Sequence, residues 1–309
     1  MDTHPHVIIV GAGALGSFIG GLLSTITRVS LIGREPHLRA IRENGLTITG
    51  ITDGVFHPVA AIEPSDIPQE SGKVFIFTVK GYNTEFAAET ILQFVEKGDV
   101  FMTLQNGVGN DLVISEVIGE AQPILAGVTS NGITFEGSGH IIHAGRGETV
   151  IGAVDREDDE IAKIIADLFN EAGIGTRVTR NICGEVWAKL IVNAAINPLT
   201  AITGLRNGGV LDVPELMETV KGVVSEVKAT ALANNIRLPD CDPLEKTIGV
   251  LKNTAQNKSS MLQDIERKRR TEIDSINGAV VRYAESAGLR VPLNRSVTAL
   301  VKAIEPRDQ

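Results

Sequence analysis

Cysteine is nearly absent: Cys183 and Cys241 are the whole supply in 309 residues, and they lie far apart. A disulfide framework is therefore not expected, and neither cysteine has neighbours at metal-ligand spacing, so no metal is expected. A reducing, cytoplasmic compartment is the expectation. No apolar run reaches the roughly 20 residues that a membrane-spanning helix needs. The N-terminal stretch MDTHPHVIIV lacks a basic flank and a cleavable apolar segment, so it reads as the approach to a strand rather than a signal peptide. Positive charge is also in deficit. The formal net charge of −9 argues against a nucleic-acid partner or an anionic membrane surface, while leaving room for a local basic pocket. What remains is ordinary globular composition, 43% hydrophobic and 22% charged, in a chain long enough for two domains.

Residues 6–10 form a short apolar, β-branched run, the pattern of a strand buried on both faces. It leads into Gly11-Ala12-Gly13-Ala14-Leu15-Gly16 and an apolar segment reaching Leu23. A G-x-G-x-x-G between strand and helix is a dinucleotide-binding pattern. Gly11 permits the tight turn, Gly13 lets the backbone approach a pyrophosphate, and Gly16 packs helix on strand. The free N–H groups at the helix start complete the anion site. Residues 28–32 read as the next strand, followed by Gly33 and Arg34. An NAD site places an acid at this strand end, to bond the ribose 2′-hydroxyl. None stands there. The Arg34 guanidinium suits a 2′-phosphate by charge and by its forked donors, so NADP(H) is favoured. Glu35 next door keeps a ribose contact open.

Further strands are expected over 74–79 and 100–104, a helix over 84–96, and one or two short strands over 46–62. This alternation predicts a parallel, doubly wound sheet. Lys80 and Asn106 then fall just past strand ends, where such sheets bind ligands. Asn106-Gly107 is equally ordinary turn chemistry. Residues 124–154 read as glycine-punctuated strands and hairpins that complete the sheet, with His140 and His143 as structural residues. A helix over 156–172 and a strand over 175–179 finish the first domain, residues 1–180.

From residue 181 strand alternation stops, and 181–309 reads as an all-helical domain. Its organising stretch is 181–209, a mostly apolar helix in which Glu185, Lys189, Asn193 and Asn197 recur every fourth residue. That spacing puts them on one side of a helix. A lysine and two amides are costly to bury without partners, so the stripe is expected to line a cleft. The alternative is an i,i+4 surface pair of Glu185 and Lys189. Pro198 disfavours helical geometry at Asn197, which suggests a kink. A helix follows over 214–235, another opens at Asp242 or Pro243, and Ser260 with Gln263 has the spacing of a capping box. The helix it starts is expected to run to about Ala287. The ERKRR run at 266–270 reads as a solvated face. Glu272 follows at the edge of the buried side, where it could pair with Lys189 or bond a substrate hydroxyl. Ser260 is either a plain cap or part of an anion site.

These residues together resemble the ketopantoate reductase family, over essentially the whole chain. The resemblance rests on G-A-G-A-L-G, V-K at Lys80, L-Q-N-G-V at Asn106, W-A-K-L-x-x-N-x-x-x-N-P-L-T around Lys189, and S-S-M-L-Q-D with R-x-T-E-I-D at Ser260 and Glu272. It implies a Rossmann-type domain followed by a helical substrate and catalytic domain. It implies reduction of 2-dehydropantoate by NADPH to (R)-pantoate, a step towards pantothenate and coenzyme A. Lys189 then matches the general acid and Glu272 its acidic partner. Asn193, Asn197, Asn207 and Ser260 match substrate contacts, with Asn106 near both substrate and nicotinamide. Arg34 and Lys80 join the turn Gly11, Ala12, Gly13, Ala14, Leu15 and Gly16 as cofactor contacts. The implied partner is a small keto acid, with no nucleic acid and no membrane. Family members are monomers and dimers, so a homodimer stays open. Two alternatives remain: a reductase of another branched or aromatic 2-keto acid, and a non-catalytic NADP-binding sensor.

Overall fold

The computed structural model describes residues 4–62, 66–67, 69–119, 121–155 and 159–306. They fall into two compact units, Met1–Gln105 with Asn110–Ile182, and Asn106–Gly109 with Cys183–Gln309.

The first unit is built around two strands whose every residue is buried. β1 (Val7–Val10) and β6 (Val74–Phe77) are continuous apolar runs because both of their faces are covered. β1 pairs in parallel with β2 (Val29–Ile32) and with β6. β5 (Val59–Ala61) extends the sheet beyond β2, and β7 (Val100–Thr103) and β8 (Ile124–Thr129) extend it beyond β6, all in parallel. The chain therefore grows outward in both directions from β1, which makes the sheet doubly wound. β11 (Thr149–Ala153) adds antiparallel to β8, and β12 (Thr176–Val178) parallel to β11. Val7 and Ile9 face one core, with α1 (Ala14–Leu23), α2 (Glu35–Asn44) and α5 (Asp159–Glu171). Ile8 and Val10 face another, with α3 (Thr84–Ile91) and α4 (Asn110–Ile118). The start of the helix expected over 156–172 lies outside the described residues at 156–158.

The expectation that residues 124–154 complete the main sheet applies only to β8 and β11. β9 (Gly132–Gly137) and β10 (His140–Gly145) instead form a second sheet with β3 (Leu46–Gly50) and β4 (Gly54–Phe56), in the order β4–β3–β10–β9. β3 pairs in parallel with β10, from Thr47 opposite His140 to Gly50 opposite His143. A pairing between segments so distant in sequence leaves no local trace. His140 and His143 bond the hydroxyls of Thr49 and Thr52 at 2.9 and 2.8 Å.

His37 joins this second sheet to the helices. The Gly139 N–H donates to its Nδ1 at 2.9 Å, so Nε2 carries the proton and donates to Ser17 Oγ at 2.8 Å. Burial, and secondarily the charge of Arg34, lowers its pKa from 6.5 to about 4. The neutral ring is the one the fold accommodates. Its contribution to stability is therefore complete above pH 6.5 and is lost as pH falls from 6.5 towards 4. The expected loss is about 3 kcal/mol. Denaturant midpoints measured across that window should slope down in the wild type and flatten in His37→Gln. Equal slopes would remove His37 as the source.

The second unit is helical. α6 (Ile182–Thr203) runs through its centre, with Leu190, Ile191, Ala194 and Ala195 packed among Val220, Val223 and Val227 of α7 (Pro214–Ala233) and Val301 of α11 (Pro292–Ile304). By length and composition α6 could cross a bilayer, but 72% of that stretch is buried inside the protein. Asn197 lies inside the helix, which continues through Pro198. α8 (Pro243–Asn253) opens where expected, capped by Asp242, which accepts from the N–H groups of Leu244 and Glu245 at 2.8 and 2.9 Å.

The long helix expected from Ser260 to about Ala287 is two helices, α9 (Ser260–Glu266) and α10 (Asn277–Ser286). Between them Lys268 takes φ 52°, a left-handed conformation that ends the first helix. Thr271 then donates from both its N–H and its hydroxyl to the carboxylate of Glu305. The cap is also one residue earlier than expected. Ser259 is buried and accepts from the Leu262 N–H at 3.1 Å, whereas Ser260 is exposed.

Candidate active site

The glycine turn has the shape that a dinucleotide requires. Gly11 has φ +114°, and a Cβ there would lie 2.5 Å from the Val79 nitrogen. A Cβ on Gly16 would lie 2.3 Å from the Gly11 carbonyl oxygen. By contrast a Cβ on Gly13 would meet nothing within 4 Å, so the backbone there is open to a ligand. No side chain caps the start of α1, which leaves its first N–H groups to an anion. The turn is knit to the next two strand ends. The Ala12 N–H donates to the Ile32 carbonyl at 2.7 Å, and Thr78 Oγ1 donates to the Gly11 carbonyl at 2.7 Å. Arg34 and Lys80 follow these two ends. Arg34 is exposed at the start of α2, and Glu35 pairs with Arg39 instead of with it. Lys80 is half-buried, its carbonyl accepting from the Asn83 N–H at 2.8 Å. The residues present fit a phosphorylated dinucleotide.

The second constellation lies wholly in the helical unit. Lys189, Asn193 and Asn197 follow one another on α6, and Asn197 is only 7% exposed. Burial lowers the pKa of Lys189 from 10.5 to about 8, against the raising effect of Glu272. The carboxylate that raises it is Glu272. Glu272 is 6% exposed and sits in the connection between α9 and α10. Its carbonyl accepts from the N–H groups of Ser275 and Ile276, both at 3.0 Å. Asp274, two residues on, is paired with Arg270 and Lys302. Burial raises its pKa, but the bonds and charges of those two cations prevail and hold it below the usual carboxylate range.

Asn106 belongs to this set. Its Nδ2 donates to Glu272 Oε2 at 3.4 Å. The following residues bind the same connection, with the Val108 N–H donating to the Ser275 carbonyl at 3.3 Å. Gly107 has φ +89°, and a Cβ there would lie 2.3 Å from that carbonyl oxygen. Asn106-Gly107 is thus turn chemistry and a contact to Glu272 at once.

Two further expected residues, Asn207 and Ser260, have the following surroundings. Asn207 Nδ2 donates to Thr254 Oγ1 at 2.8 Å, and its N–H donates to the Asn257 carbonyl at 3.0 Å. Its visible work is to clasp residues 254–257, although its buried Oδ1 has no protein partner. Ser260 is exposed at the first turn of α9. The buried serine is Ser259, whose hydroxyl lies 2.7 Å from that of Thr200 on α6. The anchoring pair Thr271 and Glu305 escaped notice in the sequence, because nothing local links residues so far apart.

The family model described as ketopantoate reductase PanE/ApbA matches residues 7–156, and its C-terminal counterpart matches residues 181–305. A 2-dehydropantoate 2-reductase of Pyrococcus horikoshii is 42% identical over 300 residues, 97% of each chain. The crystal structure of a PanE/ApbA family ketopantoate reductase from Ralstonia eutropha JMP134 superposes with a TM-score of 0.89 at 34% identity, over 97% of this chain and 98% of that one. D-mandelate dehydrogenase, in a ternary structure with NADH and anilino(oxo)acetate, superposes with a TM-score of 0.90 at 26% identity, over 97% and 98% of the two chains. Both units are matched, and relatives share their sequence along nearly the whole length, so the chain belongs to the ketopantoate reductase family.

Proposed function

We propose that the protein reduces the keto group of 2-dehydropantoate with NADPH, giving (R)-pantoate on the way to pantothenate and coenzyme A. The observation that carries the proposal is Lys189, a lysine lowered to about 8 by burial beside Glu272, in a chain 42% identical to a 2-dehydropantoate 2-reductase. NADPH, when bound, supplies the hydride that adds to the keto carbon. The carbonyl π pair moves to oxygen, and the Lys189 ammonium stabilises that charge and gives up one proton to it. The products are the alcohol and NADP⁺, and Lys189 regains its proton from solvent. Asn193 and Asn197 hold the substrate's carboxylate and hydroxyl, and Glu272 keeps Lys189 in its protonated form. The exposed thiols of Cys183 and Cys241 suit the proposed cytoplasmic setting.

The test follows nucleotide oxidation with ketopantoate beside 2-ketoisovalerate, pyruvate and benzoylformate, with NADPH and then NADH. Preference for ketopantoate and NADPH is the expected result. The likeness to D-mandelate dehydrogenase with NADH favours one second reading, an aromatic 2-keto acid reduced by NADH. Preference for benzoylformate and NADH would establish it. Tight nucleotide binding without turnover of any keto acid would leave a sensor.

Arg34 decides the nucleotide. Hydrogen bonds to a charged group contribute about 1.5–3 kcal/mol. Arg34→Ala should therefore weaken NADPH binding about 10- to 100-fold while NADH binding is unchanged. Dissociation constants for both nucleotides check this, and an unchanged ratio would separate Arg34 from the 2′-phosphate.

A further inference from the structure

Pro198 lies inside α6 and has no N–H, so the carbonyl of Ala194 loses its helical partner. The gap opens in the turn bounded by Asn193 and Asn197, the two proposed substrate contacts. It is filled from elsewhere in the unit. Asn277 Nδ2 donates to the Ala194 carbonyl at 3.0 Å. Asn277 is fully buried, and it begins α10 directly after the connection that holds Glu272. Its amide also donates to Asn294 Oδ1 at 3.0 Å.

The direction of these bonds is set at the far end. The Glu226 carboxylate accepts from Asn294 Nδ2 at 2.8 Å, and from the N–H groups of Leu293 and Asn294 at 3.0 and 2.9 Å. A carboxylate only accepts, so Asn294 turns its amide nitrogen to Glu226 and its oxygen to Asn277. Asn277 must then present its NH₂ to both Asn294 and Ala194. It does so although its own Oδ1 is left buried without a partner. Glu226 thus caps α11 and orients the amide that closes the gap in α6.

We infer that Asn277 is a positioning residue for the keto-acid site: its amide stands in for the N–H missing at Pro198 and ties the Glu272 connection to the turn carrying Asn193 and Asn197. The inference rests on the proposed reduction. It gives a buried asparagine, outside every motif recognised in the sequence, a role in holding two parts of the site in register. Displacements of about 1 Å at such a site can reduce rates about 100-fold.

The experiment uses the full chain and two substitutions. Asn277→Ala should lower kcat/KM for ketopantoate about 10- to 100-fold, mostly in kcat, with the NADPH dissociation constant unchanged. Pro198→Ala restores the N–H, so the Ala194 carbonyl is satisfied whatever stands at 277. In that background Asn277→Ala should cost less in melting temperature, yet kcat/KM should still fall by the same factor relative to Pro198→Ala alone. If the single Asn277→Ala variant does not fold, this comparison carries the test. Should kcat/KM match that of Pro198→Ala, the amide serves only helix stability and the inference is overturned. A wild-type protein without keto-acid turnover would overturn the proposed reduction itself, before any variant is made.

Discussion

Lys189→Ala is expected to lower kcat for keto-acid reduction about 10²- to 10⁴-fold, the range for a positioned general acid. The expectation rests on where the ammonium sits. It projects from α6, a helix mostly buried against the core, and burial brings its pKa down to about 8. Glu272 works in the opposite direction and keeps the lysine protonated. A free lysine near 10.4 would be a poor proton donor at neutral pH, so the lowering improves the driving force for transfer. The acid must carry its proton to act, so activity should be full below pH 8 and fall as pH rises through about 8. Glu272→Gln removes the raising influence and should move that fall to lower pH. Steady-state rates across pH, with the NADPH dissociation constant as a control, provide the check. A Lys189→Ala enzyme keeping more than roughly a tenth of wild-type kcat would end the assignment.

The parts of the molecule that could be read in the sequence are those whose chemistry is local. The glycine turn was legible because its pattern lies within one strand–turn–helix, where Gly16 meets the Gly11 carbonyl and Gly13 faces open space, although Gly11 itself meets Val79 beyond β6. The strands buried on both faces were legible as uninterrupted apolar runs. The stripe on α6 was legible because helical spacing alone puts Lys189, Asn193 and Asn197 on one side. What could not be read depends on partners distant in sequence. β3 and β10 choose each other across an intervening α/β segment. The ERKRR stretch has the propensity of a helix, and only Lys268 and the Thr271–Glu305 anchor show that the helix ends there. Ser259 and Ser260 are identical residues in tandem, and only the burial of Met261 and Leu262 decides which of them faces inward. Pro198 advertised a gap in α6, but not that Asn277 closes it.

The buried charges at the opposite end of β6 and β7 give the largest expected effect on stability. Lys73 and Asp99 stand just before these two strands, both with no exposed surface, and Lys73 Nζ lies 3.0 Å from Asp99 Oδ2. The aspartate does more than pair. Its Oδ1 accepts from the Lys73 N–H at 2.8 Å, and its Oδ2 from the Glu96 N–H at 2.9 Å. Lys73 also donates to the Glu70 carbonyl. Asp99→Ala therefore strands a buried ammonium and two backbone donors together. Breaking a buried pair from one side costs about 3–5 kcal/mol. For a unit of this size that is roughly a 10 °C fall in melting temperature. Asp99→Asn keeps one acceptor and should cost less. Lys73→Met with Asp99→Asn removes the stranded charge and should recover most of the loss, since a buried pair contributes little beyond what its isolated members would forfeit. Thermal and denaturant unfolding of the three variants gives the order. Asp99→Ala within about 1 kcal/mol of wild type would mean that water reaches the pair, contrary to its complete burial.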